Sequence, residues 1–162
     1  MSALENSSEI KLRALAGKRV LLLGIGNTGR GDDGAGAILA RRLIGRGKAG
    51  VIDAGVSPEN YLGPVRVYNP DVILLADACR SEKPTGSWSL LGRDELFSVA
   101  CATHGLSPAL VMEFLERETG ADVFLLGIEA EKDEWGEDLS HVVKKTLSGL
   151  EQLLLPLLPG FL

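Results

Sequence analysis

Between Gly24 and Gly36 the chain reads Gly-Ile-Gly-Asn-Thr-Gly-Arg-Gly-Asp-Asp-Gly-Ala-Gly. The run sits directly after the apolar segment Lys18-Arg-Val-Leu-Leu-Leu23 and directly before a helical pattern from Ala35 to Ile44. That order restricts the fold more than any other feature. A buried strand that gives way at once to a helix needs a backbone that can turn tightly and be approached closely, and glycine permits both. Gly24, Gly26 and Gly29 also match the G-x-G-x-x-G spacing of a dinucleotide-binding turn, with Asp53 standing 24 residues beyond Gly29, where a ribose-binding acid belongs. The chemistry of the run opposes that reading. Gly29, Gly31, Gly34 and Gly36 crowd what would be the first helical turn, each costing up to ~1 kcal/mol against alanine. Asp32 and Asp33 would occupy the same N–H donors a phosphate needs. The plainest account of the two acids is that one caps the helix and the other is solvated, and for Asp32 that account is preferred.

Candidate strands follow at 18–24, 50–54, 71–77, 86–91 and 121–128, several of them continuous apolar runs of the kind buried on both faces. Helical patterns lie between them, at 34–45, 58–66, 93–99, 107–118 and 139–155. Ser107-Pro108 reads as an N-cap with proline at the first helical position, and Gly120 as a stop. The alternation predicts a three-layer α/β/α sandwich around a mostly parallel sheet of about five strands. Residues 1–17 read as an N-terminal leader, with a short helix over 7–16 capped by Ser7 or Ser8 and with Ile10, Leu12 and Leu15 on its apolar side. Residues 18–162 read as one domain, and Leu153–Leu162 as a helix end packed on the body.

A net charge of -5 argues against general affinity for nucleic acid or for an anionic membrane. The polar first residues lack the apolar core of a secretory signal, and the longest apolar stretch is too short to span a bilayer. A cytoplasmic protein with two reduced thiols, Cys79 and Cys101, is the expectation. In open α/β sheets ligands bind beyond the carboxyl ends of the strands. That rule directs attention to Asp32 and Asp33, to Asp53, to Asp77 and to His104 in the loop before Ser107. Asp77 could instead cap a turn or pair with Arg80, and His104 could be an ordinary hydrogen-bonded loop residue. His141 reads as a surface residue. Cys79 and Cys101, close in sequence to Asp77 and His104, raise a permanent zinc site or a Cys–His nucleophilic pair, though the spacing is not that of a zinc motif.

Taken together the motifs resemble those of the [NiFe]-hydrogenase maturation endopeptidases. The resemblance is carried by Gly24-Ile25-Gly26-Asn27 and then Gly31-Asp32-Asp33-Gly34-Ala35-Gly36, by Asp77-Ala78, and by Thr103-His104-Gly105-Leu106. Val51-Ile52-Asp53-Ala54-Gly55 with Pro58-Glu59-Asn60, and Leu126-Gly127-Ile128-Glu129, look most like the branch serving formate-hydrogenlyase-type and other membrane-bound hydrogenases. Many members have Asp-Gly-Gly where this chain has Asp53-Ala54-Gly55.

The resemblance implies a peptidase that removes the C-terminal extension of a hydrogenase large-subunit precursor after nickel insertion. It implies that Asp33, Asp77 and His104 are both the catalytic and the metal-contacting residues, with nickel supplied by the substrate and no permanent cofactor. Two carboxylates and an imidazole suit a divalent transition metal and leave coordination positions open. The implied partners are the large-subunit precursor and nickel-insertion chaperones; the charge and hydropathy pattern argues for no nucleic acid and no membrane insertion, and the lack of a long apolar face left over after the helices are assigned favours a monomer. The competing readings are a Rossmann-like dinucleotide-binding domain of an oxidoreductase and a non-enzymatic module that docks a metalloprotein.

Overall fold

Five apolar runs build the centre of the protein, and the helices cover them because each carries one apolar stripe. The structure is a computed structural model that describes residues 3–96, 99–101, 107–131 and 133–160. In chain order it comprises α1 (Ala3–Arg13), β1 (Val20–Gly24), a 3₁₀ turn (Gly31–Gly34), α2 (Ala35–Gly45) and β2 (Val51–Asp53). A second 3₁₀ turn (Pro58–Tyr61) runs into α3 (Leu62–Tyr68), followed by β3 (Val72–Arg80), β4 (Trp88–Leu91), a 3₁₀ turn (Arg93–Glu95) and β5 (Ala100–Cys101). The chain closes with α4 (Pro108–Thr119), β6 (Asp122–Glu129), α5 (His141–Leu154) and a last 3₁₀ turn (Leu155–Leu157).

The strand order is β2-β1-β3-β6-β4, with β5 attached to β3 off that path. β2, β1, β3 and β6 run parallel, while β4 and β5 run antiparallel to their partners. Leu12, Leu39, Leu43, Val143, Leu147 and Leu150 bring α1, α2 and α5 onto one face of the sheet, together with Val72, Leu74 and Ala76. Val65, Val111, Met112 and Leu115 bring α3 and α4 onto the other face, together with Ile73, Leu75 and Cys79. The expected three-layer α/β/α sandwich is what the chain forms, with the short β5 as an addition.

The sequence rules for helix ends hold where a side chain can act locally. Ser107 Oγ accepts the Leu110 N–H at 3.2 Å, Pro108 opens α4, and Gly120 closes it with φ of 74°. Three expectations are corrected. The first helix begins at Ala3, so neither Ser7 nor Ser8 caps it; Ser8 is buried and its Oγ accepts the Leu90 N–H at 3.0 Å from β4. The pattern at 93–99 yields only the turn Arg93–Glu95. Leu96 already enters the core and Ala100 already pairs with β3, which leaves no length for a helix; residues 97 and 98 lie outside the described residues. Lastly, Asp77 does not end its strand. β3 runs on to Arg80 because β6 and β5 continue to offer it backbone partners after β1 has stopped at Gly24.

The N-terminal helix contributes to the main core: Leu12 is fully buried there, whereas Ile10, counted at the sequence level on the apolar side, is exposed. Leu12→Ala is expected to lower the unfolding free energy by about 2–5 kcal/mol in urea titration. Ile10→Ala should change it by less than about 0.5 kcal/mol.

Candidate active site

The site begins with the way the glycine run lies on the carboxyl ends of β1 and β3. The Ala76 carbonyl of β3 accepts the Ile25 N–H at 2.8 Å. Gly36, in the first turn of α2, lies against that same carbonyl, and a Cβ at residue 36 would overlap both the Ala76 and the Ile25 carbonyl oxygens. A Cβ on Gly24 would strike the Gly36 carbonyl and stand 2.7 Å from the Ala40 Cβ. Gly26 has a φ of 150° and packs on the Asp33 carbonyl, and a Cβ on Gly34 would lie 2.7 Å from the Thr28 Cα. Gly24, Gly26, Gly34 and Gly36 are thus the residues across which β1, the loop and α2 touch backbone to backbone. Gly36→Ala is expected to cost about 3 kcal/mol or more, read as a fall in thermal midpoint, because the obstructing atoms are carbonyls that cannot rotate away.

Asp32 and Asp33 leave that loop in different directions. Asp32 is fully buried. Its carboxylate accepts the Glu131 N–H at 2.8 Å, the Ser140 N–H at 2.7 Å and the Ser140 hydroxyl at 2.8 Å. It therefore does not cap its own helix, as the sequence suggested, but ties the glycine loop to the segment between β6 and α5. Around it Gly31 N–H reaches the Glu137 carbonyl at 3.1 Å, Gly136 N–H reaches the Gly29 carbonyl at 2.9 Å, and Arg30 Nε donates to the Asp133 carbonyl at 3.0 Å. The Arg30 guanidinium also lies over the Trp135 ring. Asp32→Ala leaves buried donors unsatisfied and is expected to cost about 3 kcal/mol of unfolding free energy, measured by urea titration.

Asp33 is 5% exposed, and its Oδ2 accepts the Asn27 N–H at 3.3 Å. Its 3₁₀ turn packs against β3. Asp77 is fully buried and its Oδ1 accepts the Ala78 N–H at 2.9 Å. Because Gly24 pairs with Ala76, Asp77 is the first residue of β3 beyond the end of β1. Side chains alternate along a strand, so Asp77 shares the α3–α4 face with Leu75 and Cys79. Its neighbour in β6 is Gly127, where a Cβ would come within 2.9 Å of Cys79 Sγ. Arg80, the arginine with which Asp77 could have paired, holds Asp133: its guanidinium meets that carboxylate at 2.9 Å.

His104, the third expected member, lies outside the described residues. Among the described residues no three His, Cys, Asp or Glu side chains form a group that could hold a metal ion. The described β5 has a definite direction: Ala100 pairs with Arg80 and Cys101 with Cys79, so it runs along β3 toward Asp77. Asp53 is engaged otherwise, with Arg41 Nε at 2.6 Å and the Gly55 N–H at 3.1 Å on its carboxylate. Ala54, which departs from the Asp-Gly-Gly pattern, is buried in the α3–α4 core, and its N–H donates to the Gly24 carbonyl at 2.8 Å. His141 is exposed at the start of α5.

Residues 36–157 match the hydrogenase maturation protease family HycI. The chain belongs to that family. It is a peptidase of hydrogenase maturation. The hydrogenase 3 maturation protease of Escherichia coli is 31% identical over 112 residues, which cover 67% of this chain and 71% of that protein. The crystal structure of the [NiFe] hydrogenase maturation protease HycI from Thermococcus kodakarensis superposes with a TM-score of 0.80 at 28% identity, over 91% of this chain and 97% of that one. The hydrogenase maturating endopeptidase HybD from E. coli gives a TM-score of 0.64 at 26% identity, over 86% and 91% of the two chains.

Family membership overturns the dinucleotide reading, and the geometry supplies the reason. α2 begins only at Ala35, well past Gly29, and the acid that would bind ribose is held by Arg41. What the sequence did not disclose is the support around the loop, above all the bonds that tie Asp32, Gly29, Arg30 and Gly31 to Glu131, Asp133, Gly136, Glu137 and Ser140. Gly127 carried a legible signal, since a glycine inside a strand marks a close approach. Ser140 carried another as a helix N-cap, its Oγ accepting the Val143 N–H at 3.4 Å.

Proposed function

We propose that this peptidase removes the C-terminal extension of a [NiFe]-hydrogenase large-subunit precursor once nickel has been inserted, and that Asp33, Asp77 and His104 recognise the nickel carried by that substrate. The observation that carries the reading is the position of Asp77. A buried carboxylate stands one residue beyond the end of β1, on the carboxyl edge of the sheet, beside the 3₁₀ turn that bears Asp33. Carboxylates from both segments are available at that edge to lend charge to a bound cation. The donor chemistry fits nickel, with carboxylates adding charge and an imidazole adding a borderline-soft nitrogen. Nickel held there would act as the recognition element and as a Lewis acid toward the scissile carbonyl.

The residues of the chain would do the proton work. Water adds to the scissile carbonyl carbon while a carboxylate takes its proton, and the same proton passes to the departing amine as the C–N bond breaks. Asp33, slightly exposed where Asp77 is fully buried, is the better placed base.

The test is processing of a large-subunit precursor, read by mass change. Nickel-loaded precursor should be cut and nickel-free precursor left intact; equal cutting of both would remove nickel recognition from the reading. Asp33→Asn and Asp77→Asn should each slow processing by about 10²-fold or more while keeping the wild-type thermal midpoint to within a few degrees. Normal turnover by either variant would remove that carboxylate from the mechanism. Precursor bound but never cut by the wild-type protein would favour a docking module instead.

A further inference from the structure

We infer that the groove between Pro58-Glu59 and the first two turns of α4 receives an apolar side chain of the precursor, borne on the stretch of chain beside the scissile bond. This rests on the substrate reading above. The groove has a volume of about 240 Å³ and is lined by Pro58, Glu59, Leu110, Val111, Phe114 and Leu115. Positions 110, 111, 114 and 115 form one stripe on a helix. Val111 and Leu115 are buried and make its floor, while Leu110 is 58% exposed and Phe114 39% exposed on its rim. Single exposed apolar residues are ordinary, but two of them bordering a concavity floored by the core make a receptor for an apolar group. Among the described residues Glu59 is the one charged member of the lining. The space admits one large aliphatic or aromatic side chain.

The choice of occupant follows from where the groove lies. Its two walls both issue from the carboxyl edge of the sheet: Pro58 follows β2 by five residues, and α4 begins four residues after His104. The Gly55 carbonyl accepts the Gly26 N–H at 2.8 Å, and Gly26 packs on the Asp33 carbonyl, so the groove wall and the Asp33 turn are joined through one glycine. Strand alternation sets Asp77 on the α3–α4 face, the same face as the groove. Asp53 is level with Ala76 through their common partner Gly24, two strand spacings away, a separation of about 10 Å. An extended peptide covers that span in about three residues. A precursor segment with its scissile bond at Asp33 and Asp77 that extends across the sheet edge toward β2 would reach the β2–α3 connection, which forms one wall of the groove, within a few residues of the cut.

Leu110→Asp and Phe114→Asp test this, because both side chains are on the rim and neither forms the floor. Each variant is compared with wild type for its thermal midpoint, for its Kd toward intact nickel-loaded precursor, and for KM and kcat of processing. The expected result is an unchanged midpoint, Kd and KM raised about tenfold or more, and kcat within about twofold of wild type. Aspartate scanned through the precursor residues beside the scissile bond should find one position that reproduces the loss. The loss at that position should not add to the loss from Leu110→Asp, as expected for groups in contact. Unchanged Kd and KM in both variants would overturn the proposal, and so would wild-type protein that fails to bind the precursor. A wild-type dimer that dissociates on either substitution, with precursor affinity intact, would assign the groove to a second copy and overturn it as well. The two readings fail separately. Precursor bound tightly but never cut defeats the peptidase mechanism while Kd still judges the groove, and normal cutting by both variants defeats the groove alone.

Discussion

The carbonyl of Ala76 is the point on which the architecture turns. It accepts the Ile25 N–H as β1 ends, and Gly36 rests on it as α2 begins. A strand, a loop and a helix can share that one oxygen only if no Cβ stands between them. The glycines at 24, 26, 34 and 36 remove the obstruction at each successive crossing. The close approach sets the height of α2 over the sheet and, through the short 3₁₀ turn before it, the position of two aspartates at the sheet's carboxyl edge.

Those adjacent acids divide their work because the backbone turns between them. Asp32 faces inward and collects three hydrogen bonds from the chain between β6 and α5. A buried carboxylate is costly unless its lone pairs are occupied, and here they are occupied by donors from a segment about a hundred residues distant. Asp33 is 5% exposed, and its Oδ2 accepts the Asn27 N–H. Satisfaction of the first acid holds the loop still, and the second is thereby held at the edge where β3 presents Asp77.

β3 itself is the second organising element. It outruns β1 because β6 and β5 continue to pair with it, and that overhang is what turns Asp77 from a strand terminus into a buried residue facing the α3–α4 layer. Gly127 opposite leaves room on that face. The Asp33 turn packs against β3, and the β2–α3 connection joins that turn through the Gly26 N–H to the Gly55 carbonyl.

Much of this was legible beforehand. The continuous apolar runs announced parallel strands, Ser107-Pro108 and Gly120 bounded a helix, and the glycine run announced a tight strand-to-helix turn. Each of these is a local rule, satisfied by atoms a few residues apart. The failures were non-local. Ser8 looked like a cap until β4 supplied its partner, Asp32 looked like a cap until Ser140 and Glu131 claimed it, and 93–99 looked helical until pairing with β3 ended it. The sequence by itself determined the fold class, the family resemblance and the candidacy of Asp33 and Asp77, because periodicity and motif order are written along the chain. Only the tertiary structure decided which distant donors Asp32 holds, that β3 overshoots β1, and that α4 and the β2–α3 connection enclose an apolar groove. Those outcomes depend on which distant backbone donors, strand partners and apolar side chains come together in space, and no local spacing encodes that.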